Sequence, residues 1–369
     1  MKRLLLTCTD LMAIQFLVPH VKYLSQNGFS VELACSDVGG RIDELREILS
    51  GIAKIRTVRL VRSPFSAGNL KGYSDLKKII NSEHWDVIWT NEPVMGVMTR
   101  LASQKARRSE TKVIYMAHGF HFYKGAPKLN WMIYYPVEKF CSRLCDMIIT
   151  INNEDFERAK KFHAPKVEKI NGIGVDLEKF SPNELARIEK RKELGISNDE
   201  TLLFTVGELT HRKNQHIILE ALSLLGDSKI KLAICGCGDL EDKLKSMADS
   251  LGVAKQVQFL GYRKDVYDLY NAADIFVFSS LQEGLPRAVM EAMANAKPVI
   301  CSDIRGNTDL IDPQSGLVLS NNPKQYAQVI KELISNQELS KRIGCQNAEI
   351  VKSFCEENVC VCLLAIIND

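Results

Sequence analysis

The chain lacks any apolar run long enough to cross a membrane as a helix. The longest run near its C-terminus, Val359–Ile367, has nine residues, whereas a spanning helix needs about 20. Hydrophobic residues make up 46% of the 369 residues and charged residues 25%, which excludes a disordered chain and allows sizeable buried cores. A chain of this length suits two domains of about 150–200 residues each.

C-x-x-C pairs are also absent, although the chain has 11 cysteines. Several of these cysteines lie inside apolar runs, and we interpret them as buried free thiols of a reducing cytosol. The alternative is a zinc site formed by His118, His121, Cys141 and Cys145. Because their spacing is not that of a standard zinc site, we predict no metal centre.

Acidic D-x-D pairs do not occur, and the net charge is only +3. Residues 1–180 contain 27 Lys and Arg against 19 Asp and Glu, while the remaining residues contain 21 against 26. The basic first half favours an anionic partner there, unless it is ordinary surface charge. The sequence has no repeat of basic and aromatic residues, which is the pattern that would suggest a nucleic-acid site.

Apolar runs alternate along the chain with longer amphipathic segments. These runs read LLLTC, VELAC, DVIWTN, KVIYMAHG and MIITIN in the first half, and LLFTVGEL, KLAICGCG, VQFLG, IFVFSS, PVICSD and GLVL in the second. Strands separated by helices form β-α-β units and parallel sheets, and strands covered on both faces are apolar throughout. The sequence therefore predicts an α/β protein with two Rossmann-like sheets and a boundary near residues 170–182.

A strand, a loop and a helix are predicted around EGLPRAVMEA. Glu283 and Gly284 lie in the loop, and the helix opens at Pro286 and contains Glu291. The free N–H groups at such a helix start favour an anion. Carboxylates repel phosphate but accept hydrogen bonds from hydroxyls, so a ligand with sugar hydroxyls around a central diphosphate fits: a nucleotide sugar.

The E-x7-E spacing in EGLPRAVMEA, the Pro-led strand PVICSD and the segment SDIRGNTDLI together resemble the donor site of glycosyltransferase family 4. This resemblance implies the GT-B fold, in which two Rossmann-like parallel-sheet domains face a cleft. It assigns residues 1–175 to an acceptor-binding domain and residues 176–349 to a nucleotide-sugar-binding domain. It also implies that a C-terminal helix, about residues 350–369, crosses back to the first domain.

The resemblance assigns donor contacts in the second half of the chain. Arg212 and Lys213 follow a strand, as the family's grip on the diphosphate does, although Glu208 stands where the family often has arginine. The remaining candidates are a glycine-rich turn, the segment that holds the base, and the loop and helix start beside the donor; their residues are Gly236, Arg263, Gly284, Leu285, Arg287 and Glu291.

In the first half, His118 follows the strand KVIYMA and resembles the family histidine that reaches the donor sugar. The alternative is a structural histidine whose ring nitrogens are hydrogen-bonded within the protein. This alternative fits His121 better than His118. Asn91 and Glu92 follow another strand and are weaker candidates. The loop after the first strand contains Asp10 and no glycine, so a backbone phosphate cradle is not expected there.

We expect a retaining glycosyltransferase that needs no metal or other cofactor, with catalytic residues His118, Glu283, Arg212 and Lys213. The expected donor is a UDP-sugar. The expected acceptor is a polyprenyl-diphosphate-linked saccharide of surface-polysaccharide assembly, reached from the cytoplasm at the inner face of an anionic membrane. Basic and aromatic residues after His118 suit a membrane-surface patch, but core packing explains many of the aromatics equally well. The alternatives are a nucleotide-sugar epimerase and a non-catalytic nucleotide-sugar binding protein.

Overall fold

The computed structural model of the chain describes residues 1–9, 14–37, 42–64, 66–315 and 317–369. These residues form two compact units. Unit 1 comprises Met1–Ile173 together with Glu356–Asp369, and unit 2 comprises Gly174–Cys355. The chain thus passes from unit 1 to unit 2 two residues before the sequence-based boundary, and its last helix belongs to unit 1.

Each unit contains a parallel sheet of mostly buried strands. In unit 1 the strands are β1 Lys2–Cys8, β2 Phe29–Cys35, β3 Ala53–Thr57, β4 Val87–Asn91, β5 Lys112–Ala117, β6 Met147–Thr150 and β7 Lys166–Lys169. In unit 2 they are β8 Thr201–Val206, β9 Ile230–Cys235, β10 Val257–Gly261, β11 Ile275–Phe278, β12 Val299–Ser302 and β13 Val318–Leu319.

Helices connect the strands in both units. They are α1 Val18–Gln26, α2 Ile42–Ile48, α3 Gly68–Ser82, α4 Pro93–Ala102, α5 Gln104–Arg107, α6 Lys128–Cys141, α7 Asn153–Ala159, α8 Glu184–Glu193, α9 His216–Leu225, α10 Glu241–Ser250, α11 Val266–Ala272, α12 Arg287–Ala294, α13 Pro323–Ser335, α14 Gln337–Ile350 and α15 Glu356–Asn368. Short 3-10 turns lie at Ser142–Leu144, Ala254–Gln256, Pro313–Ser315 and Val351–Phe354. No helix among the described residues combines the length and apolar character needed to cross a bilayer.

The strand order reverses once in each sheet. In unit 1 the order is β3-β2-β1-β4-β5-β6-β7, and in unit 2 it is β10-β9-β8-β11-β12-β13. Loops that leave neighbouring strands in opposite directions open a crevice at the carboxyl ends of those strands. The fold therefore places one candidate crevice after β1 and β4 and another after β8 and β11.

Two strands, β3 and β7, are not predicted by the sequence. Both lie at the edges of the unit 1 sheet, and they read AKIRT and KVEK. An edge strand is partly exposed and carries charged side chains, so it lacks the apolar run by which the central strands are recognised.

The last helix, α15, packs on unit 1 through a single apolar face. The side chains of this face are buried: Val359, Cys360, Leu363 and Ile367. Lys112 Nζ also donates to the Ile366 carbonyl at 3.1 Å. Because the helix buries apolar side chains and accepts a hydrogen bond from Lys112 of β5, it is part of the unit 1 core rather than a free tail.

Candidate active site

Two cations and one carboxylate meet at the strand reversal of unit 2. Arg212 and Lys213 lie in the loop after β8, and Glu283 lies in the loop after β11. Glu283 Oε1 accepts hydrogen bonds from Arg212 Nη1 at 3.0 Å, from Lys213 Nζ at 2.7 Å and from Ser280 Oγ at 2.7 Å. Residues from two separate motifs are thus brought to one point, where the cations leave a net positive charge.

The exposure of these side chains differs. The side chains of Lys213 and Glu283 are only 14% and 10% exposed, whereas that of Arg212 is 42% exposed. Lys213 Nζ also lies 4.9 Å from the centre of the Phe278 ring, close enough for a cation–π contact. Lys213 is therefore a fixed charge, while the guanidinium of Arg212 is open to a ligand.

Hydrogen bonds join the loops after β8 and β11. The Leu281 N–H donates to the Arg212 carbonyl at 2.7 Å, and Asn214 Nδ2 donates to the Ser279 carbonyl at 3.1 Å. Ser279 Oγ donates to the Asn214 carbonyl at 2.8 Å. Asn214 has φ +58°, a left-handed conformation in which asparagine is enriched. These bonds hold the cations in place before any ligand binds.

The segment after β12 also holds the loop that carries Glu283. Arg305 is buried, and its Nε donates to the Glu283 carbonyl at 3.0 Å. A Cβ at Gly306 would lie 2.5 Å from the Gly284 carbonyl oxygen, so only glycine fits there. Leu285 is buried and anchors the loop at the start of α12. The first N–H groups of a helix have no intrahelical acceptors, and α12 therefore offers donors beside the cation pair.

Glu291 lies in the second turn of α12 with two partners in unit 2. Its Oε2 accepts a hydrogen bond from the Tyr270 hydroxyl at 3.1 Å, and its Oε1 lies 3.5 Å from Arg287 Nε. Burial raises the pKa of the Glu291 carboxyl, and the charge of Arg287 and the Tyr270 hydrogen bond oppose that rise. Glu291 is thus an oriented acceptor in a poorly solvated position.

The glycine turn after β9 allows the strand-end loops to pack closely. Gly236 has φ +138°, and a Cβ there would lie 2.0 Å from the Gly207 carbonyl oxygen. A Cβ at Gly238 would lie 2.4 Å from the Leu209 carbonyl oxygen. The Gly236 N–H donates to the Gly261 carbonyl at 2.8 Å. These glycines keep the backbones at the carboxyl ends of β8, β9 and β10 in contact.

Arg263, the candidate for base binding, already has carboxylate partners. Its Nε and Nη2 donate to the two oxygens of Asp265 at 2.7 and 2.6 Å, and Nη2 also lies 2.7 Å from Glu193 Oε1. This pairing holds the pKa of the Asp265 carboxyl well below its usual range. The guanidinium is committed to α8 and to its own loop, and its role toward a base stays a prediction.

His118 follows β5, the strand next to the reversal of strand order in unit 1. Its Nε2 is 2.8 Å from Asn91 Oδ1, and Asn91 Nδ2 is 3.4 Å from the Thr7 carbonyl. Burial lowers the pKa of His118 to about 4, so the ring is neutral near pH 7. Because the Asn91 oxygen can only accept, Nε2 carries the proton and Nδ1 is an acceptor.

Glu92, which follows Asn91, closes the end of β1. Its Oε2 accepts from the Thr9 N–H at 2.5 Å and from Cys8 Sγ at 3.3 Å, and its φ is +65°. Because this carboxylate accepts a hydrogen bond from a backbone N–H of its own unit, a structural role is favoured for Glu92. The expectation for the loop around Asp10 lies outside the described residues.

Two phenylalanines of the segment after His118 belong to the unit 1 core. Phe120 and Phe122 are buried and stack with ring centres 4.8 Å apart. His121 stacks on Tyr134 at 4.7 Å, and both side chains line a cavity of about 190 Å³. Core packing thus accounts for the two phenylalanines, while His121 and Tyr134 border a small cavity that also touches Thr9, Arg62, Pro64, Glu92, Pro93 and Val94.

Three of the four residues of the alternative zinc site have different partners. His118 faces Asn91 and His121 faces Tyr134, while Cys145 Sγ is 3.5 Å from the Ser142 carbonyl. In the described part of the chain, no group of three or more His, Cys, Asp or Glu side chains is arranged to hold a metal ion.

None of the 11 cysteines, all of which the structure describes, forms a disulfide bond. The prediction of buried thiols holds for most of them but is wrong for three that are exposed: Cys237, Cys345 and Cys362. Cys237 lies in the tight turn after β9, and Cys345 and Cys362 lie on helix surfaces. Burial raises the pKa of Cys145 to about 12, so that thiol is inert as a nucleophile or metal ligand.

Sequence reasoning misses the residues that support the candidate site. Tyr270 orients Glu291, and Ser280 and Arg305 hold Glu283. Ser280 and Arg305 carry a usable signal, since each lies in the loop that follows an apolar strand beside the motif. Tyr270 lies in a helix with no feature that links it to Glu291.

Two family models match the chain. The model described as "Glycosyl transferases group 1" matches residues 186–349, and the model described as "Glycosyl transferase 4-like" matches residues 9–152. The first match contains the cation pair, Glu283 and Glu291. The second contains Asn91 and His118.

Similar proteins and structures agree with these matches. "Putative glycosyltransferase EpsD" of Bacillus subtilis (strain 168) is 36% identical over 348 residues, which cover 92% of this chain and 89% of that protein. The Escherichia coli "UDP-Gal:alpha-D-GlcNAc-diphosphoundecaprenol alpha-1,3-galactosyltransferase" is 29% identical over 298 residues, or 78% of this chain and 75% of that one. The crystal structure of Anabaena Alr3699/HepE in complex with UDP and glucose superposes with a TM-score of 0.84 at 19% identity over 100% of both chains. The chain therefore belongs to glycosyltransferase family 4 and is a glycosyltransferase with the GT-B fold.

Proposed function

We propose that this enzyme transfers a sugar from a UDP-sugar to a hydroxyl of a polyprenyl-diphosphate-linked saccharide during exopolysaccharide assembly. The observation that carries the proposal is the pairing of Arg212 and Lys213 with Glu283 where the strand order of unit 2 reverses. The E. coli relative is named for a UDP-linked donor and a diphosphoundecaprenol acceptor, and HepE was crystallised with UDP. Both names support the proposed substrate classes.

The cation pair binds the donor diphosphate in this proposal. Arg212, which is the more exposed, takes two phosphate oxygens, and Lys213 supplies a buried point charge. The N–H groups of Gly284 and Leu285 in the loop and of Arg287 at the start of α12 add donors to the same phosphates. Fixed charges and dipoles stabilise the negative charge that develops on the leaving UDP.

Glu291 binds the ribose of the donor. Its ionised carboxylate accepts hydrogen bonds from the two ribose hydroxyls, and the Tyr270 hydroxyl keeps it in position. The poorly solvated position strengthens such hydrogen bonds, because water competes less well for the carboxylate.

Glu283 and His118 act on the transferred sugar. Glu283 carries negative charge that stabilises the positive charge developing near the sugar ring, and it releases the two cations to the diphosphate when the donor binds. His118 is neutral, so its Nδ1 accepts a hydrogen bond from a sugar hydroxyl without adding positive charge near the ring. The reaction retains the anomeric configuration and requires no metal ion, since protein cations take over the neutralising role.

The acceptor is reached from the cytoplasm at the inner face of the membrane. Nucleotide sugars are charged and water-soluble, whereas a polyprenyl chain is held in a bilayer. An enzyme that joins the two must work at that boundary.

Radiolabelled UDP-sugars, offered with and without a short polyprenyl-diphosphate saccharide, test the proposal. We expect transfer of label to the lipid fraction, an α-linked product from an α-linked donor, and unchanged rates after EDTA treatment. A new UDP-sugar formed without acceptor would instead identify an epimerase. Binding of UDP without turnover on any acceptor would identify a binding protein, and loss of activity in EDTA that Mn²⁺ restores would contradict metal independence.

A further inference from the structure

The outer face of α6 is apolar and exposed. Leu129, Met132, Val137 and Phe140 are 62%, 73%, 41% and 54% exposed. At about 100° per residue, these four side chains and the adjacent Ile133 and Pro136 lie within about 140° of the helix circumference. We call this set the α6 face. The opposite side of the helix carries Glu138 and Cys141, which are buried in unit 1.

Positive charge flanks the α6 face. On the helical wheel, Lys128 and Lys139 lie along one edge of the face, and both ends of the segment add a cation, Lys124 and Arg143. Glu138 is the only acidic residue from residue 122 to residue 145. Its carboxylate points inward and accepts from Arg100 Nη2 at 2.8 Å and from the Tyr115 hydroxyl at 3.0 Å. This segment therefore exposes apolar side chains together with cations, and the carboxylate of Glu154, which accepts from the Lys124 N–H at 2.6 Å, is paired with Arg158.

We propose that the α6 face docks unit 1 on an anionic lipid bilayer. An in-plane helix with apolar side chains on one side and lysines at the edge inserts the apolar side chains below the headgroups, while the lysines contact the lipid phosphates. A second copy of the chain is a poorer occupant. A two-fold interface around this face brings lysines near lysines, and residues 122–145 offer no exposed carboxylate to pair with them.

The position of α6 adds to the argument. The helix begins ten residues after His118, and its Tyr134 borders the 190 Å³ cavity at the carboxyl ends of the unit 1 strands. This inference builds on the lipid-linked acceptor of the proposed function, because docking through α6 brings that end of unit 1 to the lipid surface. Its test uses no acceptor and no donor.

Sedimentation with vesicles tests the proposal. The vesicles contain either phosphatidylcholine alone or a mixture of phosphatidylcholine and phosphatidylglycerol. We expect the full chain to bind the mixed vesicles. The variant Met132→Gln/Phe140→Gln should bind them with an affinity reduced by at least about tenfold. Removing the edge charges in Lys128→Gln/Lys139→Gln should abolish the preference for the anionic vesicles, and added salt should weaken binding of the wild type.

The matched control is Leu185→Gln/Ile188→Gln on α8, whose side chains are 74% and 57% exposed. This variant should bind like the wild type, and circular dichroism should show that all variants are folded. Wild type that ignores anionic vesicles, or an α6 variant that binds as well as the control, would overturn the proposal. A lipid-free dimer that only the α6 variant loses would assign the face to a second copy instead. Vesicle binding without any sugar transfer would leave docking intact and reject the proposed function.

Discussion

Glu283 holds the two cations that the proposed mechanism needs for the diphosphate. Its single oxygen Oε1 accepts from Arg212, Lys213 and Ser280 at once. Removing Glu283 leaves two cations without their carboxylate partner, so a Glu283 variant changes both the sugar contact and the phosphate contact. Substitution of Lys213 isolates the phosphate role more cleanly.

We expect Lys213→Ala to lower kcat about 100-fold at saturating donor, or about 3 kcal/mol of barrier, because one fixed charge on the leaving diphosphate is lost. Initial rates over a range of donor concentrations measure this effect. The control is Lys245→Ala, which removes an exposed lysine paired with Glu241 on α10. Equal kcat for wild type and Lys213→Ala would remove Lys213 from the mechanism.

His118 makes stability depend on pH in a defined window. The pKa of His118 is lowered from 6.5 to about 4 in the folded chain, so between these values the unfolded state binds the extra proton. The neutral ring therefore costs nothing above pH 6.5, and stability is lost as pH falls toward 4.

We expect the wild type to lose about 2 kcal/mol more than His118→Gln between about pH 7 and about pH 4.5, less than the full pKa shift implies because the residue as a whole is only half-buried. Urea unfolding at several pH values measures this difference. His84→Gln, which removes a solvent-exposed imidazole in the same unit, should follow the wild type. Parallel pH curves for wild type and His118→Gln would show that the folded chain protonates His118 as readily as the unfolded one.

At the scale of elements, the glycine turn after β9 sets the spacing of the strand-end loops in unit 2. Gly236→Ala places a Cβ 2.0 Å from the Gly207 carbonyl oxygen at φ +138°. We expect it to lower the free energy of unfolding by about 3 kcal/mol through strain and displaced backbone. Gly252→Ala, at φ +72° with open space around its Cβ, should cost only about 1 kcal/mol. Similar losses for both variants, measured by urea unfolding, would contradict the close-packing account.

The central strands and the placement of the donor loops were predictable because both have local signals. A strand buried on both faces reads as a continuous apolar run, and Glu283 and Lys213 lie in the loops that follow such runs. The edge strands β3 and β7 carry charges and have no such run. The partners of Glu283 and Arg263 were not predictable, since Arg212 and Glu193 each lie about 70 positions away in sequence. The exposed side of α6 was missed because an apolar stripe normally indicates a buried face.

At the scale of the whole molecule, the C-terminal helix completes unit 1 although it follows unit 2 in sequence. A chain that ends at Cys355 exposes the apolar surface that Val359, Leu363 and Ile367 cover. We expect this truncation to destabilise unit 1 by on the order of 5 kcal/mol and to promote aggregation. Removing Asp369 alone deletes an exposed ion pair with Lys166 and one backbone hydrogen bond to the Ala365 carbonyl and should have little effect. Equal melting temperatures for the two truncated chains would show that α15 does not stabilise unit 1.

The central claim is that one site in unit 2 holds the donor nucleotide between a cation pair and a carboxylate. A crystal structure of the enzyme with UDP tests it most directly. We predict phosphate oxygens within hydrogen-bond distance of Arg212 and Lys213, and ribose hydroxyls on Glu291. A nucleotide bound away from these three side chains, or a diphosphate held through a metal ion, would contradict the account.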